Sequence, residues 1–311
     1  MKSIRKRMWG TFVKRAPKTR FFDRIISTLL FYKAHGRMPR IGGGLNDALH
    51  YLKVGDEILR PQRAFVSDKE FVKHYIRAKV GEEFNVPTIA VLRSLDEALS
   101  YQYPADCAIK PTHLSGHLIL RRNGAPIDPA KIRFWFRKNY YIRGREANYR
   151  YLEPKIIVEP LIFGSEPPND YKFFCVEGKV RGVMVDLDSF TDHVRSFYSP
   201  DWEKLPFGIR FPISRDVERP ANLVEMIAVA EKLAADFSFV RIDLYSNGRR
   251  IYCGEITNCQ GNALRPIFPA EHDSLFSRML FGEAGFQLSL FDRARARPDL
   301  TLPQSELADT R

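Results

Sequence analysis

Asp243 and Glu255 stand either side of a Ser246-Asn247-Gly248 turn signal within FVRIDLYSNGRRIYCGEITN, residues 239–258. Asn-Gly between two alternating runs predicts a β-hairpin with strands at 239–245 and 251–257. Val240, Ile242 and Leu244 then face one way, and Arg241, Asp243 and Tyr245 the other. Loop length decides the chemistry. A two-residue loop pairs Asp243 with Tyr252 and sends Glu255 to the opposite face. A three-residue loop, with Gly248 left-handed, shifts the pairing by one. Arg241, Asp243, Cys253, Glu255 and Thr257 then share a face, while Tyr252, Gly254 and Ile256 join the apolar side. The second register is expected because it gathers the acids. Carboxylates so gathered repel one another unless a cation sits among them, and hard oxygen donors suit Mg²⁺ better than zinc. A salt-bridged surface hairpin is the open alternative.

Other chemistry-bearing residues are scattered. In DCAIKPTHLSGHLILRR (106–122), Lys110 ends a strand before Pro111-Thr112-His113-Leu114-Ser115-Gly116. Backbone N–H groups of such a loop can fold over phosphate oxygens while the lysine neutralises them; an ordinary hairpin loop is the plainer alternative. No G-x-x-x-x-G-K-[ST] is present. The strand KIIVEPLI (155–162) ends at Glu159-Pro160, with Glu166 seven residues beyond. A hairpin over 170–176 and 180–185 carries Lys172 and Arg181 inside sheet runs, where a charge needs a partner. No Ser/Cys–His arrangement suggests a covalent intermediate.

Helices and strands must position these residues. DKEFVKHYIRAKV (68–80) predicts a helix capped by Asp68, with Phe71, Val72, Tyr75, Ile76 and Val80 on one stripe and Lys69, Lys73 and Arg77 opposite. A strand at 87–91 and a short helix at 96–100 follow. Residues 221–237 form the clearest helix and lead into the hairpin. The segment 131–151, rich in Arg, Tyr and Trp, either binds a sugar or phosphate or is a solvated helix with core aromatics. Gly42-Gly43-Gly44 reads as a loop. Residues 272–282 read as a short helix, and 286–311 as loose chain thin in apolar side chains. Gln287-Leu288-Ser289-Leu290-Phe291 matches a sliding-clamp docking peptide, a match too short to carry a reading.

The 311 residues suffice for two lobes, and 44% hydrophobic with 28% charged is a globular composition. No apolar run reaches the length of a membrane span, and the start lacks the pattern of a signal peptide. Cys107, Cys175, Cys253 and Cys259 form no C-x-x-C pair, which predicts reduced thiols and a cytoplasmic setting. Of the +12 net charge, twelve Lys/Arg against the single acid Asp23 lie in residues 1–40. The body is nearly neutral, so no specific nucleic-acid partner is expected. The arm, with a helical apolar pattern over 21–32, either docks on the body or meets an anionic membrane at its periphery.

The order of these pieces resembles the ATP-grasp superfamily, and more narrowly its TupA-like family, found among surface-polysaccharide genes. The match rests on Asp68-Lys69, Ile109-Lys110-Pro111 with His113, Ser115 and Gly116, Ile157-Val158-Glu159, Asp170-Tyr171-Lys172-Phe173, Ala230–Ala234, Phe239–Tyr245 and Gly254-Glu255-Ile256-Thr257. It implies an α+β ATP-grasp fold, two α/β lobes clamping the nucleotide, with an N-terminal helical extension. The implied divisions are a basic arm and extension (1–65), an N-terminal lobe (66–155), a C-terminal lobe with the metal hairpin (156–285) and a tail (286–311). ATP and Mg²⁺ are the implied cofactors. Lys73 and Lys110 would hold the α/β phosphates, with His113, Ser115 and Gly116 around the loop over the γ-phosphate. Glu159, Leu161 and Ile162 would form the adenine hinge, and Glu166 would meet the ribose. Lys172 and Arg241 would be catalytic; Asp243, Glu255, Thr257 and Asn258 would bind Mg²⁺. The implied activity joins a carboxylate to an amine through an acyl phosphate, with glycan-linked substrates. A kinase acting on a hydroxyl, or a nucleotide-binding module without turnover, stays open. Thr257 stands where the superfamily usually has Asn, with Asn258 one step on.

Overall fold

The computed structural model describes residues 10–164, 169–187 and 193–295; Glu166 lies outside them. The basic arm docks on the body. After helical residues 10–15, helix α1 (Arg20–His35) starts at a Thr19 cap and stops at left-handed Gly36. Its inner face buries Ile26 and Phe31. Asp23, the arm's one acid, is buried and accepts from the Tyr141 hydroxyl at 2.6 Å and from Arg145 at 3.3 Å. Arg145, itself buried, also donates to the carbonyls of Val13, Ala16 and Pro17 at 2.5, 3.0 and 3.0 Å. Part of the Arg/Tyr-rich segment is thereby structural: its cation holds down the arm, while Ile132 and Trp135 of a helix at Pro129–Arg137 are buried.

Helix α2 (Leu45–Val54) follows the glycine loop, and α3 (Phe71–Lys79) begins where Asp68 accepts from the N–H groups of Glu70 and Phe71 at 2.8 and 3.4 Å. Asp68 is the expected cap, reaching the first turn from two residues back.

Strands β1 (Ala90–Leu92), β2 (Cys107–Pro111), β3 (Ile119–Arg121) and β4 (Ile156–Glu159) form an antiparallel sheet in the order β1-β4-β2-β3. A second sheet joins β5 (Asn169–Val176), β6 (Lys179–Leu187), β7 (Val194–Tyr198), β8 (Lys204–Leu205), β10 (Phe239–Ser246) and β11 (Ile251–Thr257). Its order is β11-β10-β5-β6-β7-β8, again antiparallel. A two-stranded ribbon pairs β9 (Gly208–Ile209) with β12 (Ile267–Phe268). Helix α4 (Leu223–Ala234) and α3 bury their stripes, among them Val72, Tyr75, Ile76, Met226 and Leu233, on Tyr171, Phe173, Val183, Val185, Ile242, Leu244 and Ile256 of the large sheet. The opposite face is divided. Phe174, Met184, Phe197 and Phe239 pack under α2 and α5 (Asp273–Phe281), while the rest of that face carries the charged side chains described below.

Two expectations fail here. Residues 286–295 are not loose: Phe286, Leu290 and Phe291 are buried, the last two on helix α6 (Ser289–Arg295). Residue 286 also pairs through its backbone with Gly42 and Gly43. Three apolar side chains at i, i+4 and i+5 were enough to dock a segment of low average hydropathy, and docking removes Leu290 and Phe291 from any clamp-binding role. Arg181, expected to need a partner, lies exposed to water instead.

All four cysteines are buried and free. Among the described residues no helix is long and apolar enough to cross a membrane.

Candidate active site

The hairpin adopts neither register considered above. Ser246 pairs with Ile251, Tyr245 with Tyr252 and Leu244 with Cys253, so the loop has four residues, 247–250. The Asn247 side chain accepts from the N–H groups of Arg249 and Arg250 at 3.2 and 2.9 Å, and Gly248 takes φ 83°. Carried through unbroken, this register would place Gly254 opposite Asp243. A β-bulge at Gly254 corrects it, and beyond the bulge Asp243 faces Glu255 and Arg241 faces Thr257. The acids do share a face, for a reason the turn does not contain. Two side chains exchange places relative to the expectation: Cys253 joins the apolar core and Tyr252 the polar side. A Cβ on residue 254 would lie 2.4 Å from the Tyr245 ring, so the bulge needs glycine.

On this face Arg241 grips both oxygens of Asp243, at 2.6 and 2.5 Å, and donates to Thr257 Oγ1 at 3.0 Å. The Thr257 hydroxyl donates in turn to Glu255 at 2.9 Å. Lys172, opposite Asp243 on β5, pairs with Asp170 and lies 3.3 Å from Asp186 and 3.6 Å from Asp243. Arg195 holds both oxygens of Asp186, at 2.5 and 2.8 Å. Four carboxylates thus face Lys172, Arg241 and Arg195, and Lys69 acts on Glu255 as well. Burial opposes the charge on Lys172 and Arg241, but the acids outweigh it and raise both above their usual range. Burial pushes Asp243 above the usual carboxylate range despite Arg241 and Lys172, with Asp170 adding. Glu255 is held low: burial opposes its charge, and Lys69 and Arg241 more than offset that.

A second cluster joins the small sheet to α3. Glu159, at the end of β4, accepts Lys73 Nζ at 2.6 Å and Lys110 Nζ at 2.7 Å on its two oxygens. Lys73 also donates to the Val86 carbonyl at 2.6 Å. Burial would raise the Glu159 carboxyl; the two ammonium groups reverse that and hold it low. The predicted phosphate lysines therefore meet at one point, and Glu159 contributes its side chain there. Ser115 is half-buried and lies near the Tyr140 hydroxyl. Gly116 is exposed with φ 72° and open space around it. Leu161 and Ile162 are half-buried and follow β4 directly.

Two predicted site residues are turned elsewhere. His113 is buried, and its Nε2 meets the Trp135 carbonyl at 3.1 Å, because the chain after β2 packs on the helix that carries Trp135. Asn258 is also buried. Its Oδ1 accepts from Arg63 at 2.7 Å, and its Nδ2 donates to the Arg63 carbonyl and Ser67 Oγ at 3.0 Å each. The strand's alternation turns residue 258 away from the face holding Glu255 and Thr257, so Asn258 is a structural bolt between the hairpin and residues 63–67. Conversely, Asp170, Asp186, Arg195 and Lys69 belong to the site and were not foreseen. Asp170 could have been: it lies two residues from Lys172, the strand period, and so shares its face.

Among the described residues no group of three or more His, Cys, Asp or Glu is already drawn together for a metal ion. The donors nonetheless fit one in kind. Asp243, Glu255 and Thr257 offer hard oxygens on one face, and the buried Asp170 Oδ1 has no hydrogen-bond partner.

The family model described as TupA-like ATPgrasp matches residues 48–280, three quarters of the chain. This protein belongs to the TupA-like ATP-grasp family. The two sheets are those of the ATP-grasp fold, with α1 and the residues before it as a helical extension. Solved structures with weaker likeness include the D-alanine–D-alanine ligase of Helicobacter pylori (15% identity, TM-score 0.37, 75% of this chain and 62% of that one). The Bacillus anthracis D-alanine–D-alanine ligase complexed with ATP (14%, 0.37, 89% and 76%) and the ATP-grasp ligase PsnB complexed with minimal precursor (12%, 0.36, 68% and 55%) are others. The chain spans less than two thirds of the Helicobacter pylori enzyme and of PsnB. A comparison with curated proteins finds no match.

Proposed function

We propose that this TupA-like ATP-grasp protein is an ATP- and Mg²⁺-dependent ligase that joins a carboxylate to an amine. The observation that carries the reading is the direct opposition of Asp243 and Glu255, produced by the bulge at Gly254, on a sheet face shared with Arg241 and Lys172. An acceptor carboxylate takes the γ-phosphoryl group of ATP, giving an acyl phosphate and ADP; an amine then attacks the acyl carbon and phosphate leaves. Mg²⁺, when bound by Asp243, Glu255 and Thr257, would supply charge neutralisation on the phosphates. Lys73 and Lys110 are the cations for the remaining phosphate charge, and exchange Glu159 for phosphate oxygens. Arg241 and Lys172 are fixed by ion pairs before substrate arrives, so little reorganisation is needed as charge moves. Ser115 and Gly116 close over the γ-phosphate, and Leu161 and Ile162 line the adenine.

An acceptor carboxylate also needs a positive wall. Arg210 is exposed beside β9, its guanidinium 4.8 Å from the Phe211 ring, with Arg195 at 4.9 Å from the same ring. Burial first, with Arg265 and Arg195 adding and Asp186 opposing, lowers Arg210 from its usual value. We place the acceptor's anionic end here, next to Asp186 and Lys172. The setting in surface polysaccharide or envelope-glycan synthesis, with glycan-linked substrates, follows from the family resemblance alone; a cytoplasmic location rests on the four free cysteines.

Hydroxylamine trapping tests the reaction class. Incubated with Mg-ATP and candidate acids, a ligase yields a hydroxamate; phosphate transfer without hydroxamate makes the protein a kinase, and ATP binding without turnover makes it a binding module.

A further inference from the structure

Helix α1 has a second face. Its inner side is fastened by Asp23, Ile26 and Phe31, and by Arg24, whose Nε donates to the Val54 carbonyl at 3.1 Å. The outer side carries Phe21, Ile25, Leu29 and Tyr32, exposed at 67%, 37%, 43% and 54%. At 100° per residue these four fall within about a quarter-turn of one another. Met38 and Ile41, past the end of the helix, are also exposed, at 59% and 50%. A helix already seated on its protein buries its greasy stripe inward; this one shows a second stripe to water.

The other exposed charges of this arm are basic. Lys14, Arg15, Lys18, Lys33 and Arg40 are all exposed, and Asp23, the only acid in residues 1–40, is buried and paired. A second copy of the chain would bring the same positive rim against itself. An anionic surface complements it: cations at the headgroups, and Phe21, Ile25, Leu29 and Tyr32 below them.

We infer that the outer face of α1 is a membrane-docking surface for anionic lipid, lying in the plane of the bilayer and holding the ATP-grasp body against it. The inference is independent of the ligase reading.

Flotation of the full-length protein with vesicles of phosphatidylcholine alone, and with phosphatidylglycerol added, tests it. Binding is expected only with phosphatidylglycerol, weakened by salt, and reduced at least about tenfold in Phe21→Asp/Leu29→Asp, which removes two inserted side chains and adds two like charges. An unchanged thermal unfolding midpoint without ligand, and an unchanged far-UV circular dichroism spectrum, show that the variant's body stays folded. Failure of the wild type to float, or flotation equal in wild type and variant, overturns the inference. So does a concentration-dependent dimer on sizing that the variant dissolves, since the face would then cover a second copy.

Discussion

At the level of single residues, the site separates side chains that face ligand from those that hold the chain together. Glu255 and Asn258 are three apart, yet one faces Arg241 through Thr257 while the other is clamped to Arg63 and Ser67. Glu255→Ala should abolish the Mg²⁺-dependent part of ATP's stabilisation in a thermal-shift assay while changing the ligand-free midpoint little. Asn258→Ala should do the reverse. It leaves part of the buried Arg63 guanidinium unpaired, costing about 2 kcal/mol in urea unfolding, with the response to Mg-ATP kept. If Asn258→Ala loses the Mg²⁺ response at unchanged stability, the assignment of its side chain is wrong.

Among the elements, β11 shows how one irregular residue sets a face. Gly254→Val places a branched side chain where a Cβ already meets Tyr245 at 2.4 Å. The expected loss is about 1–3 kcal/mol, with the Mg-ATP response lost as well, because without the bulge Glu255 would turn from Asp243. An unaltered response would show that the bulge does not set the face. Helix α2 offers a pH reading. His50 is buried on it and held near 4, by burial first and by Lys53 second. The unfolded imidazole takes a proton below about 6.5 and the folded one does not until about 4, so stability falls as pH falls through that window. Relative to His50→Gln, wild type should lose on the order of 2–3 kcal/mol as pH falls across it, in urea titrations at stepped pH. A pH-independent difference would mean the ring protonates freely in the fold.

Over the whole molecule, one buried ionic knot helps to hold the basic arm on the body. Arg145, with Tyr141, ties Asp23 and three carbonyls of residues 13–17 to the segment after the Trp135 helix. Arg145→Ala should free the arm, so that limited proteolysis cuts within residues 10–35 before it touches the sheets, while the Mg-ATP response persists. Cleavage no faster than in wild type would show that the apolar contacts of Ile26 and Phe31 suffice alone.

Local pattern made the strands, the α3 and α4 stripes and the Asp68 cap legible in the sequence, because period and capping chemistry are properties of neighbouring residues. Lys73, Lys110, Lys172, Arg241, Asp243 and Glu255 were legible through the order of motifs. Four things were not. The register of the hairpin depended on a bulge that Gly254 permits and sheet pairing selects. Glu159 became the counter-ion of two lysines because β4 runs beside β2, a long-range pairing. Asn258 was assigned to the metal by adjacency, and burial beside Arg63 took it away. The dock of α6 came from Phe286, Leu290 and Phe291 finding a core made by distant residues. The sequence alone determined which segments are strands and helices and which side chains are charged. Tertiary structure decided which charges meet, since that depends on pairing between strands far apart in the chain and on the solvent that packing removes.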